Sequence, residues 1–198
     1  MIIQTELQSV HQKIMSFGTN PTQKEISFLL PYLNRKFFKK GEIILNAGEI
    51  CTEAYFILKG ILRSFQQMPN GNEKTYIIAC DNNLFSEHSS FMSQSPSTDY
   101  LEALEDTEVI AFSYKDLMYL YQKYHAWETI GRKISDINFI VVQKRLRSLM
   151  NDDAAMRYRK FLESYQKYLH RIPQHIVASY LGITPQSLSR LKREIDEN

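Results

Sequence analysis

At 198 residues, with 43% hydrophobic and 23% charged side chains, the chain has the balance of one large folded domain or two small ones, which excludes intrinsic disorder. The net charge of +2 is unevenly spread: residues 1–143 carry 13 Lys and Arg against 16 Asp and Glu, and residues 144–198 carry 11 against 6. A mildly acidic body with a basic C-terminal segment fits either nucleic-acid binding at that end or a solvated basic helix face.

The N-terminal MIIQTELQSVHQ has no basic-then-apolar leader, and no apolar run approaches the ~20 residues of a bilayer span. The expected location is cytoplasmic, with no membrane partner. Residues 1–33 read as helical: Thr22 precedes QKEISFLLPYL with Glu25 three residues on, a capping-box spacing, and Pro31 interrupts the helix near its end.

Residues 36–113 read as strands. Segments rich in Ile, Val, Phe and Tyr recur (EIIL, AYFIL, ILRSF, KTYIIA, YLEAL, VIAFS), and turn residues separate them at Lys40-Gly41, Ala47-Gly48, Lys59-Gly60 and Pro69-Asn70-Gly71-Asn72. This predicts a small barrel, roll or sandwich. Cys51 and Cys80 belong to no CxxC or Cys/His cluster and read as reduced, buried thiols, with no metal site.

Residues 114–150 turn helical. Trp127, Ile130, Ile134, Ile137 and Val141 step by three and four, an a/d stripe that fits packing on the chain's own sheet or a two-fold seam with a second copy. Beyond Val141 the register is lost: Lys144 and Ser148 take the next positions, while Leu146 and Leu149 shift the apolar face. Asn151-Asp152-Asp153 reads as a hinge or helix cap. AAMRYRKFLESYQKYL then places Tyr158, Phe161, Leu162, Tyr165 and Leu169 on one helical face.

The stretch IPQHIVASYLGITPQSLSRLKREI predicts a helix-turn-helix. Pro173 suits a first helical turn, Gly182 closes that helix in the left-handed conformation, and Thr184-Pro185 caps and starts the next. Ala178 is small where the helices cross, and Val177, Leu181, Ile183, Leu188 and Leu191 lock them together. The solvent side carries Gln186, Ser187, Ser189, Arg190, Lys192 and Arg193, which with Thr184 form the expected DNA-reading set: Gln pairs bidentately with adenine and Arg with guanine.

With these parts in this order, the chain resembles the Crp/Fnr superfamily of bacterial transcription regulators over nearly its whole length. KKGEIILNAGE, YFILKGILRSF, the Asn70-Gly71 hairpin and YLEALEDTEVIAFS resemble the family's cyclic-nucleotide-binding β-roll. The resemblance implies an α+β fold: a jelly-roll-like double-stranded β-roll with N-terminal helices (1–113), helices including a dimerisation helix (114–150), and a helix-turn-helix domain (151–198). Only Glu194 to Asn198 follow the recognition helix, so a full hairpin wing is not expected. Phosphate contacts would then fall to Arg157, Arg159, Lys160 and Arg171.

A family dimer helix at that place favours the seam reading for Trp127, Ile130, Ile134, Ile137 and Val141. The partners implied are double-stranded DNA and a second copy, with RNA polymerase as a further one.

The phosphate-binding cassette departs from the family's pattern. Ser86-Glu87 stands where Gly-Glu would be, and Ser97-Thr98 where Arg-Ser would be; no Arg or Lys lies between Lys74 and Lys115. A buried phosphate diester needs a charge-assisted partner that serine cannot supply, so cAMP is not the expected ligand. Either another small-molecule effector, contacted by Ser86, Glu87, His88, Ser97, Thr98, Val142 and Gln143, or an empty pocket remains. No nucleophile elbow, P-loop, HExxH or dinucleotide fingerprint is present, so no enzyme activity is expected.

Overall fold

The computed structural model describes residues 4–196 and begins with two helices, α1 (Gln4–Ser16) and α2 (Gln23–Ser27). The capping box forms as the spacing predicts: Thr22 Oγ1 accepts from the Glu25 N–H at 3.2 Å, and the Glu25 carboxylate accepts the Thr22 N–H at 2.7 Å. The helix stops at Ser27, and Pro31 sits in a separate 3-10 turn, Leu30–Tyr32.

Eight strands follow: β1 (Asn34–Phe38), β2 (Ile43–Leu45), β3 (Glu53–Lys59), β4 (Leu62–Gln67), β5 (Glu73–Ala79), β6 (Leu84–Phe85), β7 (Tyr100–Ala103) and β8 (Thr107–Ser113). They pair antiparallel in two sheets, ordered β1-β8-β3-β6 and β2-β7-β4-β5. That is the jelly-roll order, the expected double-stranded roll. Two strands lay outside the expected segments. β1 carries charge at Arg35 and Lys36, and β6 is too short to show a period.

β3 explains how the roll is wrapped. Its odd members Tyr55 and Ile57 fill the interior between the sheets, with Leu62, Leu101, Val109 and Ala111. Phe56 and Leu58 point outward, and so does Ile110 of β8, into a second cluster with Val10, Ile14, Ile26 and Leu29 of the N-terminal segment. A strand covered on both faces reads as a continuous apolar run instead of an alternating one. At the β3–β4 turn, Gly60 has φ +129°, and a Cβ there would fall 2.3 Å from Oγ1 of the fully buried Thr107. The Lys59-Gly60 turn therefore requires glycine both for conformation and for space.

After the roll come α4 (Tyr114–Lys123) and the long α5 (His125–Asn151). Trp127 and Ile130, each 3% exposed, belong to the cluster on the outer face of the first sheet, and the Trp127 indole N–H donates to the Glu25 carbonyl at 3.2 Å. Ile134 packs against the same cluster. This corrects the expected seam: its first turns are taken by the chain's own core and are closed to a second copy.

Three more helices complete the chain: α6 (Ala154–Tyr165), α7 (Gln174–Leu181) and α8 (Pro185–Asp196). Their core is not separate. Tyr158, Phe161, Ile176, Val177, Leu181 and Leu188 share one cluster with Ile61, Ile78, Cys80 and Leu104 of the roll. Polar bonds pin the contact. The Ser179 hydroxyl donates to the Glu73 carbonyl at 2.7 Å and accepts the Thr75 N–H at 2.9 Å, and the Tyr165 hydroxyl donates to the Ile78 carbonyl at 2.9 Å. Burial pushes the Cys80 thiol in this junction up to about 12, so it stays protonated. Among the described residues no helix is long and apolar enough to cross a membrane.

Candidate nucleic-acid interface and effector groove

The motif α7–turn–α8 is built by its punctuation. Gly182 has φ +70° and closes α7, with the Ile183 N–H bonded to the Ala178 carbonyl at 3.0 Å. Thr184 Oγ1 then accepts the Ser187 N–H at 3.1 Å, capping α8. Ala178, Leu181, Leu188 and Leu191 are buried between the helices and the roll. On the opposite side Thr184, Gln186, Ser187, Ser189, Arg190 and Arg193 are exposed together. Lys192 is half-buried and donates to Gln174 at the start of α7. The expected reading face is thus contiguous and open, with Lys192 turned toward its edge.

The flanking cations behave differently from the expectation. Arg171 lies between Asp81 and Glu105 of the roll, 2.8 Å from the Asp81 carboxylate. Arg157 donates to the Leu181 carbonyl at 2.9 Å and the Asp152 carbonyl at 2.6 Å. Both are structural ties, and a tied guanidinium is a poor phosphate contact. Lys160 is exposed and paired with Asp152 at 2.6 Å, and Arg159 is exposed. The expectation about a wing falls partly on residues 197–198, outside the described residues; α8 itself continues to Asp196.

The cassette folds in a way the sequence did not announce. A short helix, α3 (His88–Ser93), occupies it, and both Glu87 carboxylate oxygens are used as its N-cap, accepting from the Ser89 and Ser90 N–H groups at 3.2 and 2.6 Å. Glutamate is not among the residues that usually cap a helix, so no local signal marked α3. Ser97 is buried, bonded to the Asp99 backbone. Thr98 is exposed and donates to the Asp99 carboxylate, which also accepts from Ser64 at 2.7 Å and Gln66 at 2.8 Å. Where an arginine was looked for there is a half-buried carboxylate held by neutral donors. Arg63, the roll's buried arginine, is spent on Glu73 and Glu102, at 2.6 Å and 2.5 Å.

A groove of about 960 Å³ runs between α5, the roll and the helix-turn-helix unit. Of the expected pocket residues it brings together Ser86, His88 and Val142; Glu87, Ser97, Thr98 and Gln143 are not on it. Burial lowers the His88 pKa from its ordinary value, against the opposing pull of Glu87, so the ring is neutral at pH 7. No cluster of three or more His, Cys, Asp or Glu able to hold a metal occurs among the described residues.

Comparison with known proteins places the fold. Residues 35–124 match the family model of the cyclic nucleotide-binding domain. The cyclic AMP receptor protein of Thermus thermophilus is 22% identical over 179 residues, 88% of this chain and 82% of that protein. Among solved structures, FixK2 from Bradyrhizobium japonicum is similar with a TM-score of 0.73 at 17% identity, covering 83% of this chain and 85% of FixK2. A structure assigned to a Crp/Fnr transcriptional regulator from Eubacterium rectale gives 0.70 at 19% identity, covering 89% and 84%. Residues 35–124 are therefore similar to the cyclic nucleotide-binding domain, and the chain as a whole shares its fold with FixK2 and the Eubacterium rectale structure.

Proposed function

We propose that the chain is a homodimeric, sequence-specific DNA-binding transcription regulator of the Crp/Fnr type, a binding protein and not an enzyme. The observation that carries this is α8: a capped helix buried on Leu188 and Leu191 that presents Gln186, Ser189, Arg190 and Arg193 to solvent on one face. Such a face fits a major groove. One helix reads too few bases for selectivity, so a two-fold dimer reading two half-sites about one helical turn apart is part of the proposal.

The test is selection from a random DNA pool with the full chain. Enrichment of a two-fold symmetric site, with affinity falling steeply as salt rises, is the expected result. Failure to enrich any site at low salt, with and without cell extract, would sink the reading.

The roll is proposed to have lost the cAMP chemistry. The Asp99 carboxylate repels a phosphate, and the roll's buried Arg63 is held by Glu73 and Glu102 instead of opposing it. Calorimetric titration with cAMP is expected to show no saturable binding, and an affinity near micromolar would overturn this.

A further inference from the structure

We infer that Ser179 and Arg63 are positioning residues for DNA reading: they grip Glu73 and Thr75, at the edge of the second sheet, from opposite sides, and so set the tilt of α7 and α8 on which the spacing of the two half-sites depends. The role in DNA reading rests on the regulator reading; the grip itself does not.

β5 is the outermost strand of its sheet, so one side of its backbone has no strand to bond. At Glu73 and Thr75 one side chain of α7 takes that place. The Ser179 hydroxyl donates to the Glu73 carbonyl at 2.7 Å and accepts the Thr75 N–H at 2.9 Å, spending one donor and one acceptor as the backbone of an added strand would. From within the sheet the same two residues are held by their side chains. Arg63 of neighbouring β4 donates from Nη2 to the Glu73 carboxylate at 2.6 Å and from Nη1 to the Thr75 hydroxyl at 3.2 Å, and its Nε donates to Glu102 of β7 at 2.6 Å. Arg63 and Thr75 are buried, and the guanidinium stacks 3.9 Å from the centre of the Phe65 ring. A planar fork bonded in three directions and stacked on one face fixes the strand segment that receives Ser179. Arg63, Glu73, Thr75 and Ser179 lie off the groove beside α5, so the grip is made within one protomer.

The apolar cluster under α7 resists its removal from the roll, but apolar contact is non-directional and tolerates rotation. Hydrogen bonds weaken steeply with angle, so the Ser179 pair is what opposes a change of tilt. Gly182 closes α7 three residues after Ser179, and α8 starts at Pro185. With twelve residues α8 is about 18 Å long, so a tilt of about 10° at its base carries its far end about 3 Å, close to the 3.4 Å rise of one base pair. In a two-fold complex both reading helices move together, and the distance between half-sites that they fit changes with the tilt.

The test uses the full chain, the symmetric site it selects from a random DNA pool, and versions of that site with one base pair added or removed between the half-sites. By fluorescence anisotropy the wild type is expected to lose about tenfold or more in affinity for either altered spacing. Ser179→Ala should bind the three spacings within about threefold of one another, while its preference for the bases inside each half-site stays as in the wild type. Ser179→Thr keeps the hydroxyl and should keep the spacing preference. Arg63→Lys, which keeps the charge and loses the fork, should relax it in the same sense as Ser179→Ala. A wild type indifferent to spacing, a folded Ser179→Ala protein with wild-type spacing preference, or one that loses base preference along with spacing would overturn the inference. So would a Ser179→Ala chain that no longer folds, because the residue would then hold the fold and not the angle. Wild-type spacing preference in Arg63→Lys would remove Arg63 from the grip. Failure of the regulator reading shows separately, as no enriched site. The grip is then read without DNA: amide exchange at Thr75 should rise about tenfold or more in Ser179→Ala, and unchanged exchange would overturn it.

Discussion

Replacing Arg190 by alanine is expected to leave the chain folded and to lower its affinity for the selected DNA site by one to two orders of magnitude or more. Arg190 is exposed on α8, away from the buried Leu188 and Leu191, so its removal opens no cavity. A bidentate arginine–guanine contact is worth about 1–3 kcal/mol of discrimination, and a two-fold complex loses it twice. The loss should be accompanied by relaxed preference at one position of each half-site. By contrast, Arg159→Ala should weaken binding to all sequences alike and reduce the salt slope, as a phosphate contact does. Fluorescence anisotropy with the selected site and single-base variants separates the two patterns. An unchanged affinity for Arg190→Ala would remove α8 as the reading helix.

Leu146→Glu is expected to convert the proposed dimer to a monomer and to abolish binding to the symmetric site. The C-terminal half of α5 leaves Phe139, Val142, Leu146 and Leu149 between 44% and 65% exposed, at steps of three, four and three. With Met150, 75% exposed, they make an apolar stripe that the chain's own core does not cover. Pairing with its two-fold copy would cover it by interdigitating these side chains. A glutamate at Leu146 would face its own copy across the axis, and an uncompensated buried charge costs about 3–5 kcal/mol, a rise of about two to three and a half orders of magnitude in the dimer dissociation constant. Sedimentation velocity across a concentration series reads this directly. A variant that remained dimeric at wild-type concentrations would exclude this stripe as the seam.

The strengths and failures of the sequence reading follow from where the signals are local. The capping box at Thr22, the turn at Gly182 and the cap at Thr184 are each written within five residues, and they formed as read. The first three positions of the expected α5 seam, Trp127, Ile130 and Ile134, lie in the chain's own core because a period of three and four tells that a face is apolar and not what covers it. Trp127 and Ile130 meet Val10, Ile14 and Ile26, partners more than a hundred residues earlier, which no local pattern reveals. The loss of register after Val141 was the visible trace of the change of face. The cassette differs for another reason: Glu87 was matched to a ligand contact, and since glutamate is not a usual N-cap residue nothing local marked it as the cap of α3. Nor did charge counting show that, within the basic tail, Arg157 is tied to backbone carbonyls and Arg171 is paired with carboxylates.

The shared cluster between the roll and the last three helices has a bearing on modularity. A cut at residue 151 divides the chain in sequence but would strip Ile176, Val177 and Leu181 of Ile61, Ile78 and Leu104, exposing apolar surface on both fragments. The reading head is therefore not a cartridge that can be lifted out and grafted behind another sensor, and its orientation is inherited from the sheet it rests on. Any change in the packing of β4 or β5 would therefore be passed directly to α7 and α8.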